Sequence, residues 1–141
     1  MKIKQLMNKN LVTVPVNATI HDAALQMKKQ NVGSILIVED SGKLEGILTD
    51  RDIAMAVAAD NKDPLTACAY DVMMSDPVII EADASADAAL RVMSTANVRR
   101  LPVCEDGKLV GLISSADLAA EIKEEINQFL ELEEAFSKKP H

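Results

Sequence analysis

Apolar residues fall along this chain in short blocks of two kinds, and the blocks come twice. Behind Thr19, residues Ile20, Ala23, Ala24 and Met27 sit at helical spacing and predict a helix with one apolar face. Ile35-Leu36-Ile37-Val38 is an unbroken apolar run that reads as a buried strand. A turn at Asp40-Ser41-Gly42 and a further run through Gly46-Ile47-Leu48 make a hairpin of it. The order then returns. Ala86, Ala89, Leu90 and Met93 share a helical face behind Ser85, Leu101 to Cys104 is the strand, Asp106-Gly107 the turn, and Gly111-Leu112-Ile113 the second strand. Thr19 and Ser85 are the expected N-caps. A short extended run precedes each helix, Leu11 to Val14 and Val78 to Ile80. A second helix closes each copy, opening near Asp50 and near Ser115.

The register of the repeat supports this. Met7 recurs as Met73, 66 positions on, and at that offset Val12 matches Val78, Met27 matches Met93, and Asn31-Val32 matches Asn97-Val98. Ser41 has no partner, and beyond it Gly42, Gly46 and Asp52 match Gly107, Gly111 and Asp117 at an offset of 65. A turn tolerates such a slip and a strand does not. The expected fold is α/β (α+β), two pseudo-symmetric β-α-β-β-α repeats packed through their sheets, because a unit of half a domain cannot cover its own sheet. The cleft between repeats is then the natural place for a ligand. The expected boundaries are 1–62 for the first repeat, 63–66 for a linker, 67–122 for the second repeat, and 123–141 for an acidic C-terminal helical extension and tail.

From Ala116 to about Phe136 the chain reads as one long acidic helix, with Leu118, Ile122, Ile126, Phe129 and Phe136 able to share a stripe. Two readings of its second half stand level: it covers its own domain, or it packs on a partner subunit.

Composition narrows the chemistry. Aromatics are 2% of 141 residues, too few for a base-stacking platform, and the net charge of −7 opposes nucleic-acid backbones and anionic membranes. A local cationic site for one small nucleotide remains compatible with that charge. No apolar run follows the N-terminal lysines and none reaches membrane-spanning length, so a cytoplasmic protein is expected. Cys68 and Cys104 lack metal-ligand spacing, His21 has no second ligand beside it, and no nucleophile–base motif stands out. No metal site and no enzyme activity are expected.

Two motifs carry a family resemblance. Gly46-Ile47-Leu48-Thr49-Asp50-Arg51-Asp52 recurs as Gly111-Leu112-Ile113-Ser114-Ser115-Ala116-Asp117, and the second copy adds Val98-Arg99-Arg100-Leu101-Pro102-Val103. In this the chain resembles a tandem pair of cystathionine-β-synthase-type (CBS) domains, a Bateman module, from about Met7 to about Ile122. The first copy departs from the pattern with Val32-Gly33-Ser34-Ile35. On spacing alone, Thr49 with Asp52 and Ser114 with Asp117 are helix-capping pairs. The resemblance implies that the same Asp holds ribose and the Thr or Ser contacts phosphate, which capping does not prevent. It implies one site of Thr49, Asp52, Ile80, Arg99 and Arg100, and another of Ser114, Asp117, Thr13, Val14, Gly33 and Ser34. Each residue taken singly also has a plain reading, core packing for Val14 and Ile80 and solvation for the arginines. The two sites are expected to be unequal, with arginines at one and Gly33-Ser34 at the other.

The function so implied is a non-catalytic regulatory module that binds AMP, ADP or ATP, with S-adenosylmethionine or NAD as variants. It is expected to form a homodimer and to act on an unidentified target protein. The competing reading is an adaptor with vestigial nucleotide sites that works through the acidic helix.

Overall fold

The structure is a computed structural model and describes residues 1–137. Its elements run α1 (Ile3–Leu6), β1 (Thr13–Pro15), α2 (Ile20–Gln30), β2 (Ser34–Val38), β3 (Leu44–Thr49), α3 (Asp50–Ala54), a π-helical turn (Met55–Ala59), α4 (Ala69–Val72), β4 (Met74–Ser75), β5 (Ile80–Glu81), α5 (Ala86–Ala96), β6 (Arg100–Glu105), β7 (Lys108–Ser114) and α6 (Ser115–Ser137). The α/β fold expected from the repeat is the one present.

Two sheets form, β1-β2-β3-β4 and β5-β6-β7. In each, the first strand runs parallel to the second and the second antiparallel to the third. Both hairpins carry a bulge at matching places, Ile37/Val38 and Val103/Cys104. The second hairpin turns on Asp106 and Gly107, both at positive φ, as a two-residue turn of right-handed strands requires. The helices begin and end as twins. Thr19 Oγ1 accepts from the Asp22 N–H (3.1 Å) and Ser85 Oγ from the Ala88 N–H (3.1 Å). Asn31 and Asn97 close α2 and α5 in the left-handed conformation that Asn tolerates.

The first strands are shorter and later than the apolar runs suggested. The Leu11 N–H turns back to the Lys9 carbonyl, so pairing with β2 begins beyond it. In the second copy only Ile80 and Glu81 pair with β6.

Each sheet and its helices enclose a separate core, and each core borrows a segment from the other end of a repeat. Ile3 of α1 is fully buried in the second lobe with Ile80, Ala89, Leu101, Val103 and Ile113. Its N–H donates to the Ala84 carbonyl at 2.8 Å, and Asn8 exchanges two hydrogen bonds with Leu112 on β7. In the same way Ala69 of α4 is buried in the first lobe with Val14, Ala23, Ile35, Ile37 and Leu48, and β4 adds to β3. The two crossing segments, and a hydrogen bond from the Leu109 N–H to the Gly42 carbonyl (3.2 Å), tie the lobes together. Both cysteines are thiols, Cys104 buried and Cys68 half-buried. Burial, and then the nearby Glu81 carboxylate, pushes the Cys104 thiol up from its ordinary value.

Candidate functional site

At the C-terminal end of each hairpin the chain passes straight from strand to helix, and the capping pairs lie at that corner. The Thr49 N–H donates to Asp52 Oδ2 (2.9 Å) while the Asp52 N–H donates to Thr49 Oγ1 (3.1 Å). Ser114 and Asp117 repeat this at 3.0 and 3.1 Å. The capping reading is therefore correct as local geometry, and it uses one oxygen of each carboxylate. All four residues are half-buried.

Sheet register decides what lies beside each corner. Ser34 is the partner of Thr49, and the Asp50 N–H donates to the Gly33 carbonyl at 2.9 Å. Arg100 is the partner of Ser114, and the Ser115 N–H donates to the Arg99 carbonyl at 2.8 Å. Gly33-Ser34 and Arg99-Arg100 thus hold equivalent places in the two lobes, one pair small and neutral, the other cationic. Space at Gly33 is limited: a Cβ there would stand 3.2 Å from Asp50 Oδ2.

A cavity of about 300 Å³ opens between the lobes where these ends meet. Its walls include Gly33, Ser34 and Leu36 from the first lobe, Arg100 and Leu112 from the second, and Asn8, Asn10, Leu11 and Val12 from the segment that crosses between them. Arg100 is the one charged residue in this lining, and among the described residues it is in no ion pair. A chain of net charge −7 therefore presents a single cation to this cavity.

Of the residues singled out from the sequence, the structure brings Gly33, Ser34 and Arg100 to one cavity. Thr49 and Ser114 stand one strand away from them, with Asp52 and Asp117 at the helix starts. Thr13 and Val14 open onto a groove against α2, shared with Pro15, Asp22 and Lys29. The side chains of Val14 and Ile80 are buried in the first and second lobe cores. Arg99 is exposed. Sequence reasoning passed over Asn8, Asn10 and Leu112. Nothing in residue type or spacing marks Asn8 and Asn10, which reach the cavity only through the crossing of the N-terminal segment into the second lobe; Leu112 lies within the second motif on β7 but was read there as a strand residue. Asn31, also in the lining, did carry a signal, its recurrence as Asn97.

Among the described residues no group of three or more His, Cys, Asp or Glu is placed to hold a metal ion, and no helix is long and apolar enough to cross a membrane.

Comparison with known proteins agrees with this architecture. The family model for the CBS domain matches twice, over residues 3–59 and 69–124. A CBS domain-containing protein of Bacillus subtilis, YhcV, is 39% identical over 117 residues, covering 83% of this chain and 82% of its own length. Hypoxic response protein 1 of Mycobacterium tuberculosis is 35% identical over 121 residues, covering 86% and 85%. A crystal structure of Hypoxic Response Protein I, with two coordinated zinc ions, superposes with a TM-score of 0.78 at 34% identity, covering 85% of this chain and 98% of that one. The CBS domain pair of protein MJ0100, crystallised with 5′-methylthioadenosine and S-adenosyl-L-methionine, has the same TM-score of 0.78 at 28% identity, covering 89% and 98%. With two sequence repeats, two matching lobes and both family segments in place, this chain belongs to the CBS-domain family as a tandem pair.

Proposed function

We propose that this protein is a non-catalytic regulatory module that binds an adenosine-containing ligand in the cavity between its lobes. The observation that carries the reading is the cavity itself, with Arg100 as its one charged wall and the capping corners of Thr49 and Ser114 one strand away. A phosphate or carboxylate bonds bidentately to the Arg100 guanidinium. The start of α6 beside Ser114 adds the positive end of a helix dipole. The Oδ1 atoms of Asp52 and Asp117, which the capping bonds do not use, would accept from ribose hydroxyls. At about 300 Å³ the cavity is at the small end of ligand sites, which favours a ligand of AMP size over a dinucleotide such as NAD. The adenosyl ligands of the MJ0100 pair are of the same chemical class.

Binding favours whichever arrangement of lobes fits the ligand best, and the response of a target protein is limited by that difference in affinity. The test is a thermal-shift series with AMP, ADP, ATP, S-adenosylmethionine and NAD on wild type and Arg100→Ala. A ligand at one hundred times its dissociation constant adds about 2.7 kcal/mol to stability. The expected result is a rise in Tm with AMP or S-adenosylmethionine that is much reduced in Arg100→Ala. No rise with any of the five at millimolar concentration contradicts the reading and favours the adaptor, for which the exposed apolar face of α6 is the working surface.

A further inference from the structure

Helix α6 outruns the lobe it belongs to. Leu118, in its first turn, is buried in the second core, but beyond Glu121 every described residue of the helix is exposed. Large apolar side chains nevertheless continue: Ile122, Ile126 and Phe129 follow at intervals of four and three on one face, each 42–60% exposed. Carboxylates share that face. Glu125 stands three residues after Ile122 and four before Phe129, and Glu133 holds the next place in the line. The proximal end of the face runs into a pocket of about 160 Å³ where α6 meets the first turn of α5. Leu90, Leu118 and Ile122 are its apolar walls, and Asp87, Glu121 and Glu125 line it beside them. Among the described residues none of these three carboxylates is in an ion pair. The family match ends at residue 124, so the packing common to CBS domains does not account for the face beyond it.

We propose that this face and its pocket dock a basic amphipathic helix of a target protein, with one lysine or arginine of that helix lodged in the pocket. A long cationic side chain lays its methylene stem on apolar walls and carries its charge to the carboxylates at their rim. An apolar line at helical spacing is covered by another amphipathic helix. Charge decides which one. Helix α6 carries seven carboxylates and one lysine, Lys123. A wholly apolar partner would cover Glu125 and Glu133 and leave them without a counter-charge, which is costly. An anionic lipid surface, or a second copy of the same helix, would bring like charges together. A basic helix supplies counter-charge and apolar cover at once. If Leu90, Ile122, Ile126 and Phe129 each hide roughly 100 Å² more, the two partners together bury about 800 Å², the scale of a transient signalling contact. The face lies apart from the cavity between the lobes and docks its partner with or without a ligand there. Helix α6 nevertheless begins at the Ser114–Asp117 corner, so one element joins the two.

The test is fluorescence anisotropy of a labelled peptide made of two Leu-Lys-Lys-Leu-Leu-Lys-Leu heptads, titrated with the whole chain. A peptide with glutamate in place of each lysine is the control. The expected result is saturable one-to-one binding of the lysine peptide alone, weakened at least about tenfold between roughly 50 and 500 mM sodium chloride. At roughly 150 mM salt, the double variants Ile126→Ser, Phe129→Ser and Glu121→Gln, Glu125→Gln are each expected to raise Kd at least about tenfold. Glu124→Gln, Glu131→Gln removes the same charge from the opposite face of α6 and is expected to raise Kd less than about threefold. All six positions are exposed or half-buried, so a near-wild-type Tm verifies folding of each variant. Equal losses in the two glutamate pairs would reduce the attraction to net charge and overturn the proposal. So would a lack of saturable binding at low salt, binding that survives the loss of Ile126 and Phe129, or binding that strengthens with salt. No peptide binding with an intact AMP-induced rise in Tm removes the docking face and leaves the ligand reading standing. Peptide binding without that rise does the reverse.

Discussion

Gly46 and Gly111 hold equivalent positions on β3 and β7, and each faces a methionine of a crossing segment, Met73 or Met7. The three atoms nearest an added Cβ at Gly111 all belong to the Met7 side chain, whose outer atoms have rotamers to move into. One at Gly46 would also stand 2.6 Å from the Met74 carbonyl oxygen, which is held in the β3–β4 ladder. Gly46→Ala is therefore expected to cost about 1–3 kcal/mol, and Gly111→Ala distinctly less, by chemical denaturation of both variants. An equal loss would show that the methionines, not the strand, set the limit. Thr49→Ala and Ser114→Ala each remove one side of a capping pair and are expected to lower stability by about 1 kcal/mol. Removing Arg100 leaves stability nearly unchanged, since it makes no ion pair among the described residues, and is expected to act on ligand affinity instead.

The elements that repeat could be read from the chain, and those that cross could not. Helices α2 and α5, both hairpins and the start of α6 follow from apolar spacing, caps and positive-φ turns, all local signals. Helix α1, helix α4 and β4 are too short to carry a period of their own, and they exist because a distant core accepts them. Ile3 illustrates this: it stands in the first repeat's flank of the sequence and is buried in the second lobe. Ile3→Ala is expected to cost about 2–5 kcal/mol and to loosen β5–β7 first, seen as faster amide exchange there than in β1–β3. Uniform loosening of both lobes would deny the second core its borrowed segment. The same segment is tethered at the surface, where Lys4 Nζ is 3.0 Å and Lys2 Nζ 3.7 Å from Asp83 Oδ1. The hydrogen bond from Lys4, and then its charge, holds the Asp83 carboxyl below its ordinary value, and the same pairing raises Lys4. A depressed carboxyl contributes stability above its unfolded pKa and loses it as pH falls through the folded value. Acidification below the ordinary carboxylate range is therefore expected to release this tether, with amide exchange of Ile3–Leu6 accelerating in wild type and hardly changing in Asp83→Asn. The effect is small, because the pair is exposed.

At the scale of the whole molecule, two lobes with their own cores meet around a cavity whose walls come from three places in the sequence. The repeats and motifs made the corners at Thr49, Asp52, Ser114 and Asp117 legible, since capping and phosphate binding ask for the same residues at the same spacing. The contribution of Asn8 and Asn10 was not legible, because it depends on where the crossing segment lies. Arg100 links the two descriptions: it is the strand partner of Ser114 and shares the cavity with Gly33 and Ser34. The most direct measurement is a crystal structure of the protein grown with saturating AMP. The account predicts the nucleotide between the lobes, its phosphate on the Arg100 guanidinium and its ribose against Asp52 or Asp117. An empty cavity with AMP bound elsewhere, or AMP in the cavity with its phosphate turned away from Arg100, would contradict it.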